Sequence, residues 1–146
     1  MRREWKKAML FFAVLSIMSF LINFCWESVQ GLLYVEHPAM AAIDYVPMML
    51  FMAAMDTFGI IILYAFTAIV TCKWFWETTT RNSSIFFLIG FFTAYAVEYI
   101  SVFPLHLWHY LAGMPLVFGI GLFPLFQLSL TGIFSVYMAN KLVFKG

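Results

Sequence analysis

Four long apolar runs, separated by short polar segments, dominate the pattern of the chain. Each run has about 20 or more residues, the length that a helix needs to cross a bilayer. The runs cover about residues 8–34, 46–72, 84–104 and 113–140. Because the connections are short, successive helices are expected to pack antiparallel as a bundle. The pattern predicts an all-α, multi-pass integral membrane protein in which residues 1–146 form one four-helix transmembrane domain.

Composition supports this class and excludes others. Of the 146 residues, 64% are hydrophobic and 10% are charged, whereas about 25% of the residues in a soluble domain are charged. The net charge of +1 gives no reason to expect a nucleic-acid partner. Cys25 and Cys72 fall in different spans and predict free thiols. The first run is too long for the apolar core of a signal peptide, so it is interpreted as a retained helix.

The basic residues predict an orientation. All of them precede the first helix, lie between the second and third, or follow the fourth: Arg2, Arg3, Lys6, Lys7, Lys73, Arg81, Lys141 and Lys145. The positive-inside rule therefore places both termini in the cytoplasm. Trp5, Trp74 and Trp76 would then mark the inner interface, and Trp108 the outer one. The membrane would be the cell membrane in a prokaryote or an endomembrane in a eukaryote.

Three carboxylic acids, Glu27, Asp56 and Glu98, lie inside the apolar runs. An ionised acid in hydrocarbon costs about 2.5–3.5 kcal/mol on insertion scales. At about 1.5 Å per residue, all three fall in the outer half of the bilayer. No Lys or Arg lies within the spans to neutralise them. We expect a shared pocket in which the acids are protonated or face a cationic ligand or intermediate. Alternatively, neutral acids bonded to neighbouring helices are structural.

Several polar and aromatic residues share one face of the first helix with Glu27. Asn23, Trp26, Glu27 and Gln30 follow the spacing i, i+3, i+4 and i+7, and Tyr34 continues the row. Lipid offers no hydrogen-bond partners, so this face is expected to point into the bundle, where Asn23, Trp26 and Gln30 would contact a substrate.

The second and third helices have corresponding candidates. Thr57 directly follows the acid of the second helix, and Gly59 would allow a close helix approach or leave room for a ligand. Tyr95 and Tyr99 flank Glu98 on the third helix. We expect these residues to contact a substrate.

The fourth run contributes Gln127 and a proline. By residue count, Gln127 lies nearer the middle of the membrane and is a candidate substrate contact. Pro124 is expected to kink the fourth helix, because it cannot donate to the carbonyl of Ile120.

Histidines in the outer connections raise the question of a metal. His37, His106 and His109 would lie on the same side of the membrane as the three acids. No His-Glu-x-x-His motif is present, and we predict no metal and no cofactor.

The segments Leu21–Glu27, Tyr34–Glu36, Met55–Thr57 and Ala94–Tyr99 resemble a known family. The resemblance is to the four-helix core of the emopamil-binding (EXPERA) superfamily, which includes sterol Δ8–Δ7 isomerases and sigma-2-receptor-like proteins. It covers the layout of nearly the whole chain through short motifs. It implies a pocket that opens within the bilayer and binds sterols or cationic amphiphiles.

The resemblance also implies roles for the acids. By position, Glu27 and Asp56 would be the acid pair that shuttles a proton across a double bond, and Glu98 a third acid. The isomerase pattern has a His where this chain has Asn23. It also has an Asn and a Trp, three residues apart, on the last helix, where this chain has Leu122–Gln127. These departures favour a related fold with another apolar substrate.

The leading hypothesis is an enzyme that binds a lipid or isoprenoid and isomerises a double bond or performs a related protonation. Glu27 or Asp56 would be the general acid and the other the base. Trp26 and the two tyrosines of the third helix would stabilise positive charge, and Glu98 would position or relay protons. One alternative is a non-catalytic lipid- or amine-binding protein or accessory subunit. Another is a proton-coupled transporter, which would need a homo-oligomer.

Overall fold

Four long helices account for most of the chain. The computed structural model describes residues 2–144, and Lys145, which was used above for orientation, lies outside this range. The helices are α1 (Arg2–Gln30), α2 (Ala42–Thr71), α3 (Thr80–Val102) and α4 (Leu122–Phe144). All four are long and apolar enough to cross a membrane. The prediction of an all-helical chain with four helices of membrane-spanning length is confirmed.

Short elements complete the ends of the helices. A 3-10 turn (Gly31–Leu33) extends α1, and a two-stranded antiparallel hairpin, β1 (Leu116–Val117) and β2 (Ile120–Gly121), precedes α4. We call the end of the bundle that holds residues 31–41 and 103–121 the loop end. The opposite end, which holds residues 72–79, is the terminal end.

The helices are not arranged as a symmetric square. Helix α1 packs extensively against both α4 and α2, and α3 packs mainly against α4, whereas α2 and α3 contact each other much less. Helices α1 and α4 therefore form the centre of the bundle, and α2 and α3 flank it. The sparse contact between α2 and α3 leaves space between these two helices.

The terminal end is filled by a core around Trp76. Its indole is fully buried, stacks on Tyr64 at 5.3 Å and packs against Phe86 at 5.8 Å between ring centroids. The indole Nε1 donates to the Tyr64 carbonyl at 3.4 Å, and Asn140 Nδ2 donates to the Trp76 carbonyl at 3.1 Å. The prediction that Trp76 marks the membrane interface is therefore wrong, because this residue joins α2, α3 and α4 from inside. The other two tryptophans predicted at this interface are exposed.

Glycines allow α3 and α4 to approach closely. A Cβ atom on Gly132 would lie 2.6 Å from the Phe86 ring, and one on Gly90 would lie 2.7 Å from Ser129 Oγ. Neither distance leaves room for a methyl group. At Gly59 the nearest atom would be 4.0 Å away, which is ordinary contact. The close approach predicted at Gly59 is thus found between α3 and α4 instead.

The fourth helix begins later than predicted. Residues 113–121 form the hairpin and its flanking turns, with Gly119 at a φ of 80°, and α4 begins at Leu122. Pro124 consequently lies in the first turn of α4. Backbone N–H groups in a first turn have no partner within the helix, so proline costs nothing there. The predicted proline kink is therefore wrong.

At the loop end the connections after α1 and α3 join each other. Tyr34 and Tyr110 form an antiparallel bridge, which backbone hydrogen bonds of 2.8 and 2.9 Å flank. Beside them, His109 Nδ1 lies 2.8 Å from Glu36 Oε1. We call this paired region the roof, and it comprises residues 33–36 and 108–111.

Candidate functional site

A cavity of about 440 Å³ lies beneath the roof, with walls from all four helices. All three predicted acids line it, as do Gln30, Trp108 and Gln127. The structure therefore brings Glu27, Asp56 and Glu98 to one cavity, as the count of depth along the helices led us to expect.

Two of the acids meet at one amide group. Gln127 Nε2 lies 2.6 Å from Glu27 Oε1, 2.7 Å from Asp56 Oδ2 and 3.2 Å from Asn23 Oδ1. An amide nitrogen has two hydrogens, so three oxygens compete for two donors. The carboxyl groups of α1 and α2 are thereby held close together by a side chain of α4. Residue counting had placed Gln127 nearer the middle of the membrane, whereas it lies at the acids.

A buried polar seam between α1 and α4 orients this group. Thr131 Oγ1 lies 3.1 Å from Asn23 Oδ1 and 2.7 Å from the Gln127 carbonyl, and its single proton can be donated to either oxygen. Asn23 Nδ2 donates to the Ser19 carbonyl at 2.9 Å. Asn23 is fully buried behind the acids and does not line the cavity. Its observed role is to fix the amide, which is different from the substrate contact predicted for it.

Glu98 has a separate set of partners. Its Oε2 accepts hydrogen bonds from Trp108 Nε1 at 3.2 Å and from the Tyr110 hydroxyl at 2.5 Å. Both donors belong to the roof, so the roof directly orients an acid of the cavity. Sequence reasoning had assigned Trp108 to the interface and had given Tyr110 no role. The only signal was aromatic clustering in this connection, which predicts a membrane interface equally well.

The tyrosines of the roof keep their protons. Burial, followed by the hydrogen bond to Glu98, raises the pKa of Tyr110 well above its ordinary value. Burial and then the nearby carboxylate of Glu98 raise the pKa of Tyr34 as well. Both hydroxyls are therefore hydrogen-bond donors throughout the physiological pH range.

A chain of hydrogen bonds follows α1 towards the roof. Trp26 Nε1 donates to Gln30 Oε1 at 2.6 Å, and Gln30 Nε2 donates to the Tyr34 hydroxyl at 3.1 Å. Gln30 and Tyr34 line the cavity, whereas Trp26 does not. Trp26, predicted to stabilise positive charge in a substrate, instead orients the amide of Gln30.

Three predicted contact residues lie away from the cavity. Thr57 Oγ1 donates to the Ala53 carbonyl of its own helix at 2.7 Å and faces a separate shallow groove. Tyr95 and Tyr99 stack on each other at 6.2 Å, and Tyr99 is 47% exposed. The buried row of α3 passes through Glu98 and its smaller neighbours one turn away, so the two tyrosines point elsewhere. The aromatic rings at the cavity come from Tyr34, Phe51 and Trp108 instead.

The cavity opens sideways between α2 and α3. Phe51 on α2 and Val97 on α3 both line the cavity, yet they are 62% and 51% exposed on the outside of the bundle. The wall on this side also includes Met48 and Met52. The polar groups of the cavity come from all four helices, with Glu27 and Gln30 on α1, Asp56 on α2, Glu98 on α3 and Gln127 on α4. The cavity thus combines these polar groups with an apolar opening between α2 and α3.

The three histidines lie at the loop end, and the ion pair lies in the roof. Within residues 2–144, no three His, Cys, Asp or Glu side chains are grouped so as to hold a metal ion. In the same range the one ion pair joins Glu36 and His109. Burial opposes ionisation of Glu36, but the hydrogen bond to the His109 side chain, backbone hydrogen bonds and the charge of His109 together outweigh it and lower the pKa of Glu36. The described part of the chain pairs none of the three cavity acids with a basic side chain.

No protein-family model, no curated protein and no solved structure matches this chain. The chemistry available to the site follows from its geometry. Two acids that share one amide can bind one proton between them, because two like charges so close together are unfavourable. The third acid accepts two hydrogen bonds as a carboxylate does.

Proposed function

We propose that the protein is a membrane enzyme that binds an apolar lipid or isoprenoid and moves a double bond by proton transfer. The observation that supports this most strongly is the meeting of Glu27 and Asp56 at one amide nitrogen, inside a cavity with an apolar opening. Isomerisation of a double bond needs an acid to protonate one carbon and a base to deprotonate another. A pair of acids with one proton between them supplies both.

The reaction balances without an oxidant or reductant. The protonated member of the pair gives its proton to one carbon of the double bond, which leaves a carbocation. The ionised member removes a proton from a carbon on the other side of the cation, and the electrons of that C–H bond form the new double bond. The proton has then moved from one acid to the other. The amide of Gln127, within reach of both, can bond to whichever acid is ionised.

Glu98 and the aromatic rings of the roof suit the positive intermediate. A carboxylate fixed beside the cavity stabilises a cation electrostatically, and the faces of Trp108 and Tyr34 add to this. This role was expected of Tyr95 and Tyr99, which do not line the cavity. The charge stabilisation is thus assigned to the roof.

The lateral opening suits a substrate that stays dissolved in the bilayer. Phe51 and Val97 would face lipid tails, so the apolar part of the substrate remains in hydrocarbon while its double bond reaches the acids. The distribution of Lys and Arg supports cytoplasmic termini, with the roof across the membrane. The resemblance of short sequence segments to the emopamil-binding superfamily also motivates the proposal.

The test combines lipid identification with isotope exchange. Lipids that co-purify with the protein are extracted and identified by mass spectrometry, then returned to the protein in nanodiscs in D₂O. The wild type is expected to incorporate deuterium and shift a double bond, while Glu27→Gln and Asp56→Asn slow incorporation at least about 100-fold, the scale of general acid–base catalysis. Asp44→Asn, an acid in the first turn of α2, is the control. Unchanged exchange in both acid variants would refute the proposal.

A non-catalytic lipid-binding protein is the second candidate, because the same cavity and opening suit a carrier. It predicts that a specific lipid co-purifies, is lost in Glu27→Gln and shows no deuterium exchange. A proton-coupled transporter fits less well. Below the polar seam, the terminal half is filled by a fully buried apolar cluster that includes Phe11, Leu15 and Val136. The buried polar side chains of that half, Thr67, Ser135 and Asn140, include no carboxyl or basic group that could relay a proton from the acids.

A further inference from the structure

Glu98 differs from the other two acids in the number of hydrogen-bond donors that contact it. Two donors, the indole of Trp108 and the hydroxyl of Tyr110, converge on a single oxygen of Glu98. Glu27 and Asp56 have between them one amide, whose two hydrogens are also within reach of Asn23. The supply of donors is therefore unequal across the cavity.

We propose that Tyr110 is a positioning residue that holds Glu98 as a fixed anion, so that the exchangeable proton of the cavity is confined to the Glu27–Asp56 pair. The proposal deepens the proposed function and rests on it for the role of the proton. The distribution of charge can be measured without a substrate.

Donors that converge on one carboxylate oxygen favour the ionised form. A hydrogen bond to a charged acceptor is about twice as strong as one between neutral groups. Protonation of Glu98 would therefore weaken both of its bonds. The indole N–H of Trp108 can only donate, and the raised pKa of Tyr110 keeps its hydroxyl proton available for donation to Glu98. The titratable groups that interact with Glu98 are the acids Glu27 and Asp56 and the phenols Tyr34 and Tyr110, and none of them is basic.

The acid pair has the opposite balance. Two carboxyl groups lie within reach of one nitrogen, and like charges at this distance disfavour double ionisation. His37 lines the same cavity as the pair, and no Lys or Arg of the described residues does so. One proton bound between the two acids removes the repulsion between their charges. A single amide donor then suffices for the one carboxylate that stays ionised.

The fold fixes the direction of the Tyr110 hydroxyl. Tyr110 is paired with Tyr34 across the roof, and the two rings lie 5.5 Å apart. Behind the ring, a Cβ atom on Gly121 would lie only 3.0 Å from Tyr110 Cε1, so the β2 strand presses against it. Both restraints come from backbone pairing. The hairpin that delays the start of α4 therefore also supports the residue that orients Glu98.

Dicyclohexylcarbodiimide is a suitable probe, because it dissolves in membranes and adds to protonated carboxyl groups. The protein in lipid nanodiscs at pH 7 is treated with this reagent, and each acid is quantified by peptide mass spectrometry. Glu98 and Glu27 are almost equally accessible, at 8% and 6% exposed, and both line the cavity. The expected result is modification of Glu27 or Asp56, with Glu98 modified at least tenfold less.

Variants separate positioning from general packing. Tyr110→Phe removes the hydroxyl alone and is expected to raise modification of Glu98 at least fivefold. Tyr95→Phe is the matched control, since Tyr95 lies on the same helix as Glu98 but outside the cavity, and it should leave the pattern unchanged. Should Tyr110→Phe fail to fold, Trp108→Phe removes the second donor and is expected to raise modification of Glu98 in the same direction.

Two results would overturn the proposal. One is equal modification of Glu98 and of the pair in the wild type. The other is a Tyr110→Phe variant, or its Trp108→Phe substitute, that matches Tyr95→Phe. The outcome is distinguishable from failure of the proposed function. Absence of deuterium exchange together with the expected labelling pattern would refute the reaction and leave the charge assignment intact.

Discussion

Replacing Gln127 by leucine removes the amide on which two acids meet. The side chain is buried, and its Nε2 atom lies 2.6 to 3.2 Å from three oxygens. With two hydrogens it makes two full bonds at a time. A net hydrogen bond contributes about 1 kcal/mol, or about 1.5–3 kcal/mol when the partner is charged. One neutral and one charged partner give a loss of about 3 kcal/mol in the free energy of unfolding.

The measurement is the unfolding of wild type and variant in the same detergent, followed by tryptophan fluorescence. Thr57→Val is the control, because Thr57 is buried next to Asp56 but bonds only to the carbonyl of Ala53 in its own helix. Its loss should change the free energy of unfolding by less than about 1 kcal/mol. A Gln127→Leu variant as stable as the control would refute the reasoning, since the amide would then not hold the acids together.

The remaining predictions concern helix packing and the roof. Gly132→Ala should lower the free energy of unfolding by about 1–3 kcal/mol, because the new Cβ would lie 2.6 Å from the Phe86 ring. In Gly59→Ala the nearest atom to the new Cβ would be 4.0 Å away, so this variant should be neutral or stabilise the protein by up to about 1 kcal/mol. If Gly59→Ala were the less stable of the two variants in the same unfolding assay, this description of the packing would be contradicted. Because the pKa of Glu36 is lowered in the folded protein, its ionised form stabilises the roof above the unfolded pKa, and this contribution is lost as pH falls through the folded pKa. The rate of hydrogen exchange at the Val35 amide, corrected for the intrinsic rate, should therefore rise in acid in the wild type but not in Glu36→Gln. An equal rise in both proteins would count against a stabilising bond between Glu36 and His109.

Features that depend on local properties could be predicted from the sequence. The length of an apolar run determines whether a helix can span a membrane, so four helices were predicted. Depth follows from counting residues along a helix, which is why Glu27, Asp56 and Glu98 were expected at one level. All three line one cavity. No tertiary information was needed for either result.

Features that depend on tertiary packing could not be predicted in the same way. Residues 113–121 are as apolar as a helix, and hydropathy does not distinguish a β-hairpin from a helical turn. Tyr95 and Tyr99 share helical spacing with Glu98, but the rotation of α3 is determined by its close contact with α4. The bond between Tyr110 and Glu98 needs the roof to form, and nothing in either segment alone predicts it.

The burial of Trp76 has a mechanical consequence for the lateral opening. Its indole lies between Tyr64 of α2 and Phe86 of α3, so the two helices share a pivot near the terminal end. From Tyr64 to Phe51 at the opening is about 20 Å along α2, and a tilt of about 5° there displaces the free end by about 2 Å. A change in the packing of Trp76 would therefore change the width of the gap from a position remote from the acids. A smaller side chain in place of Trp76 would alter which molecules pass between α2 and α3 without touching the residues that they meet inside.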